Sequence, residues 1–205
     1  MGNSKDMSKP QVIGIVGSPR KNGNTEFLMR RALEIISAEG YATEVVALAG
    51  KAIALCQACD SCKKTGECSI KDDFQGVYEK MKDAQGIILG SPVHNFTLTP
   101  LIVSLKTRAS RMSHTTKDPK TYYSTSALAR KVGGAIVMAR RAGGIESIAG
   151  LNNFFLCNEM FIVGSRYPNV AFAYDKGEVA KDSEGVANIE RFARNFAWLL
   201  KKVAG

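Results

Sequence analysis

Residues 12–25 read Val12-Ile13-Gly14-Ile15-Val16-Gly17-Ser18-Pro19-Arg20-Lys21-Asn22-Gly23-Asn24-Thr25. The first five form a short apolar run with the β-branched content of a buried strand, bounded by Gly17. From Thr25 to Glu39 the apolar residues Phe27, Leu28, Ala32, Ile35 and Ile36 fall at helical spacing, and Gly40 stops the pattern. A buried strand that runs through small and polar residues into a helix start makes a phosphate site. The first backbone N–H groups of the helix lack partners, Ser18, Asn24 and Thr25 add side-chain donors, and Arg20 adds charge. The motif is neither the dinucleotide fingerprint nor the nucleotide-triphosphate loop, because Asn24-Thr25 stands after Gly23 where Lys-Ser/Thr would be needed. An ordinary capped turn is the plain alternative.

Outward from this stretch the same alternation continues. Ala42 to Leu48 reads as a second strand, and Asp72 and Asp73 cap a helix running to about Lys82. Gly86 to Leu89 is a third strand ending in Gly90-Ser91-Pro92, followed by a helix from about Thr99 to Met112 and a polar excursion from Ser113 to Ala129. Lys131 to Ala139, Met160 to Gly164 and the helices Gly144 to Asn158 and Gly185 to Val203 complete the pattern. Five strands alternating with helices predict an α/β fold, a three-layer α/β/α sandwich around a parallel sheet. Ligands of such sheets sit beyond the carboxyl ends of the strands, so the loops after strands one, three and four are expected to meet at one site. At 205 residues and 45% hydrophobic, the chain suits a single domain over residues 11–205, with residues 1–10 as a disordered leader. No stretch has the ~20 apolar residues of a membrane span, and the polar start is unlike a signal peptide, so no membrane role is expected.

Two further loops carry candidate chemistry. Ser91-Pro92-Val93-His94-Asn95-Phe96 joins a rigid proline to polar donors and an aromatic ring, suited to lying along a planar ligand. Ala139-Arg140-Arg141-Ala142-Gly143-Gly144 offers close backbone approach through its glycines and guanidinium groups for electron-rich oxygens. Between strands two and three, residues 52–72 hold Cys56, Cys59, Cys62 and Cys68 as C-x2-C-x2-C-x5-C, four of the chain's five cysteines. Thiols this close bind metal or cycle redox state in a reducing cytosol, which points to the cytoplasm. Four thiolates suit a [4Fe–4S] cubane, and Gly66 within the x5 span lets Cys68 turn back toward the other three. A closed zinc site and a cluster-free thiol or disulfide set are the competing readings.

Taken in order, these motifs and Asp72-Asp73 resemble the flavodoxin-like NADPH-dependent FMN reductase family, and within it the iron–sulfur flavoproteins, from about Val12 to Gly164. The resemblance implies a five-stranded parallel sheet of order 2-1-3-4-5. It implies that Ser18, Arg20, Asn22, Asn24 and Thr25 hold the FMN phosphate, and that Pro92, Val93, His94, Asn95 and Phe96 with Ala139, Arg140, Arg141, Gly143 and Gly144 flank the flavin ring. It also implies that Cys56, Cys59, Cys62 and Cys68 are metal ligands. Family members often carry Tyr or Trp where His94 stands here. Flavin N5 is expected to carry the reaction; His94, titrating near neutrality, is a candidate acid–base group, with plain flavin packing as its alternative.

The formal charge of +9 falls to about +5 once a four-thiolate cluster and a flavin phosphate are counted. The basic residues Lys63-Lys64, Arg108 to Arg111, Arg130-Lys131, Arg140-Arg141 and Lys201-Lys202 are scattered without an aromatic-interleaved stripe, which argues against nucleic acid. A basic rim that steers anionic electron carriers or dinucleotides fits better. Cys157 is expected in the core, His114 in an exposed loop and Trp198 in core or subunit packing, while Tyr122 and Tyr123 are candidates, not a leading expectation, for covering a flavin, that of a neighbouring subunit included. The leading expectation is an electron-transfer flavoenzyme passing electrons between FMN and a [4Fe–4S] cluster. Resemblance implies a ferredoxin-type carrier or NAD(P)H as donor, a small acceptor, and a homodimer or homotetramer. A cluster-free NAD(P)H-dependent FMN or quinone reductase and a non-catalytic flavin-binding redox sensor are the alternatives.

Overall fold

Side-chain alternation along the strands divides the core into two halves, one on each face of the sheet. The structure, a computed structural model, describes residues 11–114 and 125–203. The expected leader, most of the polar excursion, and Tyr122 and Tyr123 lie outside the described residues. The strands are β1 (Val12–Val16), β2 (Thr43–Ala47), β3 (Gly86–Pro92), β4 (Val132–Ala139), β5 (Phe161–Ile162) and β6 (Val170–Phe172). The helices are α1 (Asn24–Ala38), α2 (Ser61–Thr65), α3 (Phe74–Asp83), α4 (Pro100–Ser113), α5 (Gly144–Cys157) and α6 (Ser183–Val203). All pairings are parallel in the order β2-β1-β3-β4-β5, the flavodoxin-like order expected.

On one face Ile13, Ile15, Ile87, Leu89, Ala135 and Val137 join the buried sides of α3, α4 and α5. On the other, Val12, Val16, Ile88, Val132 and Ile136 join α1 and α6. Adjacent residues of one strand thus serve opposite cores, the period-2 signature of a sheet covered on both sides. Gly133 and Gly134 let aromatic rings press directly on β4. A Cβ at Gly134 would fall 2.4 Å from Phe192 Cζ, and one at Gly133 would fall 2.7 Å from Phe155 Cδ1. The expected packing role of Trp198 is not seen in the core: Phe192 and Phe196 are buried, while Trp198 is exposed on the outer side of α6 with Lys202 over its ring.

The edge beyond β4 differs from the sequence expectation. Met160 to Gly164 was expected as one strand; instead β5 pairs with the start of β4, Val132↔Phe161, and β6 pairs with its end, Val137↔Val170 to Ala139↔Phe172. The two short strands are halves of one edge, separated by residues 163–169. The buried Asn169 side chain bridges the break, donating at 3.0 Å to the carbonyl of Ala135. Three-residue β6 is too short to stand out as a periodic pattern. Cys157 is also corrected: it is exposed at the end of α5, whose buried residues there are Phe154 and Phe155. His114 ends α4 half-buried, with Nε2 2.7 Å from the carbonyl oxygen of Cys157.

Candidate functional site at the carboxyl ends of the strands

Because β1 to β4 are parallel, their following loops leave the same end of the sheet, and specific bonds tie those loops together. Gly17 N–H donates to the Gly90 carbonyl at 2.7 Å, and Thr99 Oγ1 donates to the Gly17 carbonyl at 2.7 Å. Ser91 Oγ, fully buried, accepts the Thr99 N–H at 3.2 Å. The loops after β1 and β3 are therefore one hydrogen-bonded unit, and Val93 N–H donating to Met138 at 2.8 Å fastens the second to β4.

The loop after β1, from Gly17 to Thr25, has the properties of an anion cradle. Gly23 stands at the N-cap of α1, and no side chain caps the helix. Thr25, 1% exposed, has a buried hydroxyl with no hydrogen-bond partner among the described residues. Ser18 Oγ accepts the Arg20 N–H at 3.1 Å, which shapes the turn. Glu26 accepts the Asn22 N–H at 2.8 Å and pairs with Arg30 at 2.6 Å. Burial opposes ionisation of Glu26, but Arg30 and the Asn22 amide outweigh it and hold the carboxyl below its ordinary pKa.

Asn24 plays a different part from the one expected. Its side-chain amide is spent on the 175–177 turn: Nδ2 donates to Asp175 at 2.8 Å and Oδ1 accepts the Gly177 N–H at 2.7 Å. Only its backbone N–H is left for a phosphate. Asn24→Ala is expected to lower stability of the flavin-free protein by about 1–2 kcal/mol, two hydrogen bonds' worth, by urea denaturation. An unchanged midpoint would show that the tether is not formed in solution.

At the far side of the site, His94 and Thr97 bond to each other in both directions, His94 N–H at 2.8 Å and Thr97 N–H at 3.0 Å. The tip between them, Asn95 and Phe96, has φ of +46° and +64°. Positive φ is uncommon for a bulky aromatic residue and costs about 1–2 kcal/mol. Phe96 is 67% exposed, so its own burial does not offset that cost. Strain of this kind gathers at ligand clamps. Gly143, at φ +81°, nests against the tip; a Cβ there would lie 2.7 Å from Phe96 Cα and 2.8 Å from Val93 Cγ1. Arg140 stacks 4.0 Å from the centroid of Tyr174, an exposed ring that the sequence reading missed. Arg20, Asn22, His94, Arg140 and Arg141 are all exposed around this mouth, while Pro92, Ala139, Gly143 and Gly144 are buried beneath it.

The cysteine loop is closed at its neck by the aspartate pair. Asp73 accepts the Ala52 N–H at 2.7 Å, and Asp72 accepts the Ala54 N–H at 2.8 Å and the Phe74 N–H at 3.1 Å. Asp73 is the N-cap residue of α3 but makes no side-chain cap bond, because its carboxylate fastens the loop, and Asp72 takes only the first N–H of the helix from one position earlier. Gly66 ends α2 in the left-handed region, and the chain then turns toward Cys68. Cys56, Cys59, Cys62 and Cys68 all line one cavity with Arg108 and Arg111. Among the described residues no three Cys, His, Asp or Glu groups are gathered closely enough to hold a metal ion. Cys59 lies 3.2 Å from Ser69 Oγ, and that hydrogen bond, with the Ser61 backbone, holds its thiol below the ordinary pKa. Asp60 pairs with Arg111, and Asp72 with the buried Arg108 at 2.6 Å. The sequence reading counted Arg108 among scattered basic residues, since nothing local marks a helical arginine as buried.

A family model described as NADPH-dependent FMN reductase matches residues 10–175, which takes in the loops after β1, β3 and β4 and the cysteine loop. The chain belongs to the NADPH-dependent FMN reductase family. An iron–sulfur flavoprotein of Methanocaldococcus jannaschii is 36% identical over 200 residues, covering 94% of this chain and 98% of that protein. One from Archaeoglobus fulgidus is 32% identical over 201 residues, covering 95% and 99%. Among solved structures, RosB with a bound flavin phosphate intermediate superposes with a TM-score of 0.72 at 16% identity, covering 94% of this chain and 79% of that one. An archaeal flavodoxin gives 0.58 at 12% identity, covering 93% and 98%, and these two show the fold. This family member is a flavin-dependent oxidoreductase with FMN as its flavin. The residues fit that cofactor: an uncapped helix start and the unpartnered Thr25 hydroxyl suit a phosphate dianion. They fit an iron–sulfur cluster by chemistry, with four thiols and two arginines around one cavity, although no three thiols converge as placed.

Proposed function

We propose that this chain is an iron–sulfur flavoprotein that passes electrons between FMN and a [4Fe–4S] cluster held by Cys56, Cys59, Cys62 and Cys68. The observation that carries the reading is the shared cavity: four thiols from thirteen residues line it, in a loop that leaves the same sheet end as the flavin loops. When bound, FMN supplies one- and two-electron chemistry and the cluster one-electron chemistry, which allows paired electrons to be delivered singly. Thr25, Ser18 and the α1 backbone amides bind and orient the phosphate end, with Arg20 and Asn22 at its rim. Val93 to Phe96 and Arg140 to Gly144 wall the ring, and the hydrogen-bonded loop unit keeps those walls in register.

The donor in this reading is a ferredoxin-type carrier or NAD(P)H, and the acceptor a small molecule. The exposed cations Arg20, Arg140 and Arg141 favour anionic partners at the mouth. A reducing, cytoplasmic setting suits five free thiols. A homodimer or homotetramer is supported by the exposed Ile145, Tyr167 and Phe172, which line one groove beside β6. No described helix is long and apolar enough to cross a membrane.

The second reading is a cluster-free NAD(P)H-dependent FMN or quinone reductase, which needs only the loops after β1, β3 and β4. Purification without air separates the two. We expect about four irons per chain and broad visible absorption beneath the flavin bands, bleached by reductant. A flavin-only spectrum with no iron, or zinc in its place, would sink the cluster reading and leave the reductase.

A further inference from the structure

Arg108 is the largest fully buried side chain described, 1% exposed in the middle of α4, and its contacts converge on the cysteine loop. Nη1 donates to Asp72 at 2.6 Å and to the Ala54 carbonyl at 3.3 Å; Nη2 donates to the Ile70 carbonyl at 3.1 Å and to Cys68 Sγ at 3.2 Å. The guanidinium lies 4.1 Å from the Phe74 ring centroid, which fixes its plane. Its buried Nε has no acceptor among the described residues, yet Arg108 lines the cavity shared by the four cysteines. A buried charged donor left without an acceptor is costly, so structures that keep one commonly meet it with a group not yet in place.

We infer that Arg108 is a positioning residue for the cluster: it clamps both ends of the loop through Ala54, Ile70 and Asp72, orients Cys68, and supplies N–H donors to the sulfur shell. The inference rests on the proposed cluster and adds what sets its potential. Hydrogen bonds and positive charge at sulfur favour the reduced, more negative state. Asp72 offsets that charge and, through its bonds to Ala54 and Phe74, stops the guanidinium from drifting. Lysine would retain the charge, but one ammonium cannot reproduce a planar fork that reaches a carboxylate and a sulfur together.

The test is the midpoint potential of the air-free, iron-loaded protein, titrated optically or by electron paramagnetic resonance, with iron and FMN counted in each sample. Arg108→Lys should load iron but make one-electron reduction roughly tenfold less favourable, ~59 mV lower. The double variant Arg108→Met with Asp72→Asn, which leaves no unpaired buried charge, should shift it in the same direction. Asp72→Asn alone should shift it upward, because Arg108 is then less neutralised. A folded, FMN-containing Arg108→Lys that assembles no cluster also supports the inference, since Cys68 has lost its guide. Iron-loaded variants that all match the natural chain within twofold would overturn it and reduce Arg108 to a loop fastener. Natural chain without iron would overturn the cluster reading itself, and this inference with it.

Discussion

Cys59→Ser is expected to remove the iron from air-free protein, from about four per chain to background, while FMN content stays at that of the natural chain. The structure makes Cys59 the cleanest of the four to replace. Cys62 is buried in the core between sheet and helices, and Cys68 accepts a hydrogen bond from Arg108, so changing either would disturb packing as well as ligation. Cys59 is exposed, and among the described residues its side-chain partner is Ser69 at the rim of the same loop. Serine at this position replaces a soft sulfur by a hard oxygen and leaves the fold untouched. Its far-ultraviolet spectrum and melting midpoint without metal should therefore equal those of the natural chain. Full retention of iron in the Ser variant would mean that the four-cysteine set is wrong. Joint loss of iron and FMN would mean that the loop and the flavin pocket fold as one unit.

Thr25→Val is expected to move two measurements in opposite directions. The Thr25 hydroxyl is buried without a partner among the described residues, so exchanging it for a methyl of similar shape should leave flavin-free protein as stable or more stable, by about 1 kcal/mol. The same change should weaken FMN binding about tenfold to a hundredfold, because a hydrogen bond to a dianion is worth about 1.5–3 kcal/mol. Riboflavin, which lacks the phosphate, should bind both proteins equally. Fluorescence titration with each flavin, beside urea denaturation without flavin, gives all three numbers. If FMN held no advantage over riboflavin in the natural chain, the loop from Ser18 to Thr25 would not be the phosphate site. If FMN affinity survived the substitution, the hydroxyl would be serving the fold.

Much of the site can be read along the chain because its parts are local. A strand, a turn and a helix start that are contiguous in sequence build the proposed phosphate cradle, so Val12 to Thr25 carries the geometry within fourteen residues. The same holds for Ser91 to Phe96, for Arg140 to Gly144 and for the cysteine run. What escaped that reading are groups whose role depends on neighbours far away in the chain. Asn24 looks like a phosphate donor until Asp175 and Gly177, 151 and 153 positions later, claim both ends of its amide. Cys157 follows Phe154 and Phe155 in an apolar run, yet the helix turns it outward. Tyr174 gave no signal, since a tyrosine after a three-residue strand has no pattern to belong to.

By itself the sequence determined the α/β alternation, the order of the loops at the carboxyl end of the sheet and the presence of a four-thiol motif, because strand burial, helix periodicity and cysteine spacing are properties of neighbouring residues. Only the tertiary structure decided that the sheet edge is split into β5 and β6, that Asn24 serves as a tether, and that Arg108 lies buried between Asp72 and Cys68. Those outcomes turn on which distant groups meet where water is excluded, and a buried charge or amide takes its meaning from the partner it finds there.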